Sequence, residues 1–148
     1  MADSIANAAG TGVTVTIRGK AYKVVPLSVR DVAEFESHVR SKRMKAAMPA
    51  VAEMERSERL DLLRILASTP PTSLEVTEEM QSIEGVAFLL WRSLRKTAPS
   101  LTLEQAGDLV DMNNVEEVST VIQAVSGTDE GNPPAQGATG ASGSGGTI

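Results

Sequence analysis

Hydrophobic and polar positions change their period along the chain, and each change marks an element. From Val13 to Arg18 they alternate, with Val13, Val15 and Ile17 on one side and Thr14, Thr16 and Arg18 on the other, as a half-buried strand requires. A second β-rich run, Ala21 to Val25, follows Gly19-Lys20, so the pair reads as a hairpin with glycine at the first loop position of a II′ turn. An isolated hairpin is marginal in water, which predicts that it lies on helices or pairs with another chain.

Beyond Pro26 the period becomes helical. Ser28 is placed to cap a helix with Asp31 in its first turn and Val29, Val32, Ala33, Phe35 and Val39 on one arc. The end of that helix is basic, with Arg40, Lys42, Arg43 and Lys45. Pro49 is expected to open the next helix, reaching about Ser68, whose Leu60, Leu62, Leu63, Ile65 and Leu66 surround it and predict a central position.

Pro70-Pro71 stops that segment. A long helix capped by Thr77 is expected to run to Lys96, with acids at its start, Arg92, Arg95 and Lys96 at its end, and Met80, Ile83, Ala87, Leu90 and Leu94 as a core stripe. Pro99 breaks it, and Thr102 with Gln105 forms a capping-box pattern for a short helix to about Asp111. Asn114 with Glu117 is a weaker version of the same device, opening a last helix on which Val115, Val118, Val121, Ile122 and Val125 share a face and Gly127 stops the run.

The fold class is therefore α+β and mainly α: an N-terminal β-hairpin, a small bundle of four or five helices, and a disordered C-terminal tail. Residues 1–12 read as a flexible arm, 13–127 as the domain, and 128–148 as a Gly/Ser/Ala-rich tail or linker too poor in apolar residues to offset the entropy of ordering.

Composition narrows the function. Of 148 residues, 41% are hydrophobic but only 3% aromatic, so the core rests on aliphatic side chains. A net charge of -5 argues against bulk attraction to nucleic acid or an anionic membrane. No apolar run approaches the roughly 20 residues needed to span a bilayer. With no cysteine there is no disulfide, thiolate catalysis or Cys-based zinc site. His38, the sole histidine, reads as a surface or pairing residue rather than a general base, and the pairs Glu78-Glu79 and Glu116-Glu117 sit where helix dipoles favour acids. No phosphate-binding loop or metalloprotease motif is present. These readings predict a non-enzyme with no cofactor, metal or catalytic residue.

The segment Leu89 to Val110 holds the sole tryptophan beside a basic helix end and is the candidate partner surface. Leu90, Trp91 and Leu94, with Val118 and Ile122 of the last helix, are the inferred groove, and Arg92, Arg95 and Lys96 its rim; Trp and Arg are enriched at interface centres. Trp91 reads equally well as a core residue.

The opening VTVTIRGKAYKVVPLSVRDVAEFE and the later LLWRSLRKTAPSLTLEQAGDLVD, followed by an acidic, Val-rich helix, resemble the tail assembly chaperones of long-tailed (siphovirus-type) bacteriophages in their short, non-frameshifted form. The likeness runs from Val13 to Gly127. It implies a chaperone of the host cell cytoplasm that binds the tape measure protein, keeps it soluble, helps recruit tail tube protein and is absent from the mature virion. Self-association is compatible with that role. The resemblance also implies a ribosomal frameshift near the end of the frame, with the tail as linker to an extension and Gly145-Gly146 encoded at the slippery run. The alternative is a structural virion protein, such as a head-tail joining or tail-terminating protein.

Overall fold

The computed structural model describes residues 12–127. The arm expected over 1–12, apart from Gly12, and the tail expected over 128–148 lie outside the described residues. Within them the fold is α+β and mainly α: a two-stranded antiparallel hairpin followed by six helices, one or two more than the periodicity suggests.

Strands β1 (Val13–Ile17) and β2 (Lys20–Val24) pair from Val13 opposite Val24 to Ile17 opposite Lys20. The loop is thus Arg18-Gly19, one residue earlier than expected, with φ of 51° and 80°. Two positive φ values make a type I′ turn rather than II′, and its twist matches that of the strands it joins. The hairpin lies on the helices. Ile17 and Val24 are buried, and Ser93 pins the end of β2: its Oγ accepts from the Val25 amide and donates to the Val25 carbonyl, both at 2.8 Å.

Helix α1 (Val29–Val51) opens with a reciprocal capping box, in which Asp31 N donates to Ser28 Oγ at 3.2 Å and Ser28 N donates to Asp31 Oδ2 at 2.7 Å. Pro49 does not start the next helix. It lies in the last turn of α1, where the carbonyl its ring deprives of a donor belongs to exposed Lys45, and fully buried Val51 anchors the corner that follows.

Helix α2 (Arg56–Ser68) is the clearest departure from expectation. It has no buried residue, leaves Leu60 and Ile65 more than half exposed, and packs chiefly on α1. Its apolar residues do surround it, yet α1 covers only one side.

The expected helix from Thr77 to Lys96 is two helices, α3 (Ser73–Gln81) and α4 (Ile83–Leu94), broken at Ser82. Thr72, not Thr77, caps α3 by accepting from Glu75 N at 3.1 Å. Ser82 ends one helix and caps the other: its backbone is extended, its Oγ donates to the Glu79 carbonyl and accepts from Gly85 N, both at 2.9 Å. Helix α4 takes the central place expected of the Leu60 segment, with Val86 to Leu90, Ser93 and Leu94 all buried.

Helix α5 (Leu103–Leu109) has the full capping box of Thr102 and Gln105. Helix α6 (Val115–Ser126) buries Val118, Val121, Ile122 and Val125 and ends on Gly127 in the left-handed region, φ 73°. Asn114 precedes it but makes no side-chain cap. Its carboxamide accepts from Asp111 N and donates to the Leu109 carbonyl, each at 2.8 Å, tying the α5–α6 turn instead.

Candidate functional site

Helices α1, α3, α4 and α6 enclose the core but do not close over one side of it. There an apolar groove of about 130 Å³ runs past Val32 and Phe35 of α1, Val76 and Met80 of α3, Leu89 of α4 and Ile122 of α6. Phe35, Leu89 and Ile122 are its buried floor, and Val32 on the rim is 50% exposed. Leu27 and Ser126 close one end, joined by a hydrogen bond of 3.0 Å from Leu27 N to Ser126 Oγ. Glu36 is the only charged residue of the lining. Val29, 89% exposed, extends the apolar surface beyond the rim. An open apolar channel between helices is suited to the apolar stripe of a partner helix.

Of the positions singled out in the sequence, only Ile122 lines this groove. Leu90 and Leu94 are fully buried in the core, and Val118 is buried beneath the hairpin, so none of the three offers surface to a partner in this conformation. Trp91 is half-buried: its Nε1 donates to the Leu101 carbonyl at 3.1 Å and its ring meets Phe88 edge-on at 5.6 Å. Arg95 lies over that ring at 5.0 Å. Arg92 and Lys96 are held by Asp31, at 2.8 Å from Arg92 Nε and 2.6 Å from Lys96 Nζ.

Asp31 is 1% exposed. Burial by itself would push its carboxyl up, but hydrogen bonds from Lys96, the Ser28 backbone, Arg92 and the Ser28 hydroxyl more than reverse this and hold it at about 2. The carboxylate joins the N-terminus of α1 to the C-terminal end of α4.

A second buried carboxylate, Glu79, fixes the wall of the groove formed by α3. Lys42 Nζ reaches its two oxygens at 2.8 and 3.1 Å, and His38 Nε2 and Ser82 Oγ each lie 3.1 Å from Oε1. Burial opposes the charge here too, and the hydrogen bonds from Lys42, His38 and Ser82 win, so the Glu79 carboxyl is lowered. The same contact raises Lys42. His38 also stacks on Phe88, with ring centroids 4.6 Å apart, which makes it a structural pairing residue. Much of the basic run at the end of α1 is spent inside the fold, since Arg43 pairs with Glu75 and donates to the Thr69 carbonyl at 2.9 Å.

The groove residues carry a signal in the sequence, although a weak one. Val32 with Phe35 and Val76 with Met80 are apolar pairs at helical spacing, but nothing local says that the surface they share stays uncovered. Among the described residues no group of His, Asp or Glu is placed to hold a metal, and no helix is long and apolar enough to cross a membrane. Comparison with protein-family models, curated proteins and solved structures gives no match.

Proposed function

We propose that this chain is a non-enzymatic tail assembly chaperone of a long-tailed bacteriophage, which binds the tape measure protein through the groove between α1, α3, α4 and α6. The observation that carries the reading is the apolar channel of Val32, Phe35, Met80, Leu89 and Ile122, left open beside a well-filled core. The resemblance of the Val13 to Gly127 sequence supplies the partner. A tape measure helix exposes apolar stripes until tube subunits cover it, and copies of a groove-bearing chaperone lying along it keep those stripes from aggregating. On this reading the protein acts in the host cytoplasm, helps deliver tail tube subunits, largely through a frameshifted longer form, and leaves before the virion is complete.

The test is co-expression with the long coiled-coil protein of the same phage, followed by its solubility and copurification. The parent chain should bring the partner into the supernatant as a complex. Val32→Asp with Met80→Lys should keep the helical circular dichroism and lose the complex. Burying one valine-sized side chain is worth about 1.5 kcal/mol, so affinity should fall tenfold or more. A partner that stays insoluble beside folded parent chain, in both the short and the frameshifted form, would falsify the reading. Peptides of this chain in purified virions would then identify a joining or terminating protein.

A further inference from the structure

Helix α2 has a face that no described residue covers. Its partly buried residues are Arg59, Leu62, Leu63 and Leu66, which leaves the opposite side turned outward. On that side Ser57, Asp61, Arg64 and Ser68 recur at steps of four, three and four, which puts them in one row along the helix. Leu60, 52% exposed, stands along one edge of the row and Ile65, 58% exposed, along the other. The side chains of Asp61 and Arg64 bond to no described residue.

Read from either end, these residues come in the same order. From the N-terminal end they run serine, aliphatic, acid, and from the C-terminal end serine, aliphatic, base, at the same spacing about a centre between Leu62 and Leu63. We propose that this face docks the same face of a second copy of the chain, with the two α2 helices antiparallel about a two-fold axis at that centre. Such an axis sets Asp61 against Arg64 of the second copy, and Ser57 against its Ser68, each of them twice. Both Leu60 side chains then lie on one edge of the seam and both Ile65 side chains on the other, where they shield the ion pairs from water. A parallel pair would oppose acid to acid and base to base, so the charges select the antiparallel arrangement.

The 13 residues of α2 make a helix about 20 Å long. Contact between two such helices stays below the roughly 1,200 Å² of stable complexes, so the dimer is a reversible one. No residue of α2 lines the apolar groove, and pairing therefore leaves both grooves open and gives one particle two of them. Association through α2 is independent of what the groove holds.

Sedimentation equilibrium of the full chain should show the average mass rising from monomer towards dimer as concentration passes roughly 0.1 mM. Asp61→Arg and Arg64→Asp each place like charges across the axis and should weaken association about tenfold or more, with unchanged helical circular dichroism. Mixed in equal amounts, the two variants complement each other, and association should return as heterodimers. No rearrangement within one chain gives that result. The register has a readout of its own because the chain lacks cysteine. Under a mild oxidant, Ser57→Cys mixed with Ser68→Cys should form disulfide-linked pairs, whereas Ser57→Cys alone should not, its two copies lying about 16 Å apart along the helices. A parent chain that stays monomeric to about 1 mM overturns the proposal. So do single charge variants that associate like the parent, a mixture of them that stays monomeric, or Ser57→Cys linking to itself as fast as to Ser68→Cys.

Discussion

Gly85→Ala will destabilise this fold by about 3 kcal/mol or more, although alanine is the better helix former by about 1 kcal/mol. A Cβ on Gly85 would lie 1.8 Å from the Glu79 carbonyl oxygen and 2.7 Å from its carbon. Both are backbone atoms at the end of α3 and cannot rotate aside. To admit the methyl group, α3 must move off α4, which pulls Glu79 from Lys42 and His38 and opens the groove wall that carries Val76 and Met80. Thermal unfolding followed by circular dichroism should show a midpoint lower by about 10 °C or more. Gly107→Ala is the matched control, because nothing lies within 4 Å of a Cβ there and α5 should gain up to about 1 kcal/mol. If the two variants melt alike, the approach of Glu79 to Gly85 is not a constraint and the junction is free to open.

That junction also shows what local pattern conveys and what it omits. The cap at Ser28, the capping box at Thr102 and the glycine stop at Gly127 were legible because their partners lie within three residues, although the reciprocal bond from Ser28 N to Asp31 emerged only in the fold. The break at Ser82 was hidden, since Met80, Ile83 and Ala87 keep helical spacing straight through it. Its only trace is a serine three residues before a glycine. The turn lies one residue before the position Gly19-Lys20 suggests, because arginine at positive φ has no composition signal, whereas Gly19 draws attention to itself. Pro49 reads as a helix start from sequence, but the burial of Val51 decides the matter two residues later.

The candidate site was less legible than the fold for a related reason. Periodicity reports which residues are apolar, and tertiary packing decides which of them are covered. Leu90 and Leu94 belong to a helix enclosed on nearly every side, so the richest apolar segment became core and the poorer pairs on α1 and α3 became the open surface. Arg92 and Lys96 looked like rim cations because their carboxylate partner lies 61 and 65 residues away. No local rule connects them.

Removal of that carboxylate should be the second large effect. Asp31→Ala takes the counter-charge from Arg92, whose side chain is 11% exposed, and breaks the reciprocal cap of α1. An uncompensated buried cation costs about 3 kcal/mol, and the lost cap adds about 1 kcal/mol. Asp31→Asn keeps the shape but not the charge and separates these contributions through pH. The folded Asp31 carboxyl titrates at about 2, below its ordinary 3.8. Its contribution, about 2 kcal/mol, is fully present above pH 3.8 and is lost as pH falls through 2. Urea unfolding of the parent chain should therefore weaken steeply below pH 4. Asp31→Asn should be less stable at neutral pH and flatter in the acid range, with the remaining slope supplied by Glu79, whose carboxyl is also lowered. A variant that loses stability at neutral pH yet retains the full acid slope would show that Asp31 acts through its shape and its cap, with its charge on Arg92 and Lys96 contributing nothing. The junction of α1 with α4 would then rest on packing alone.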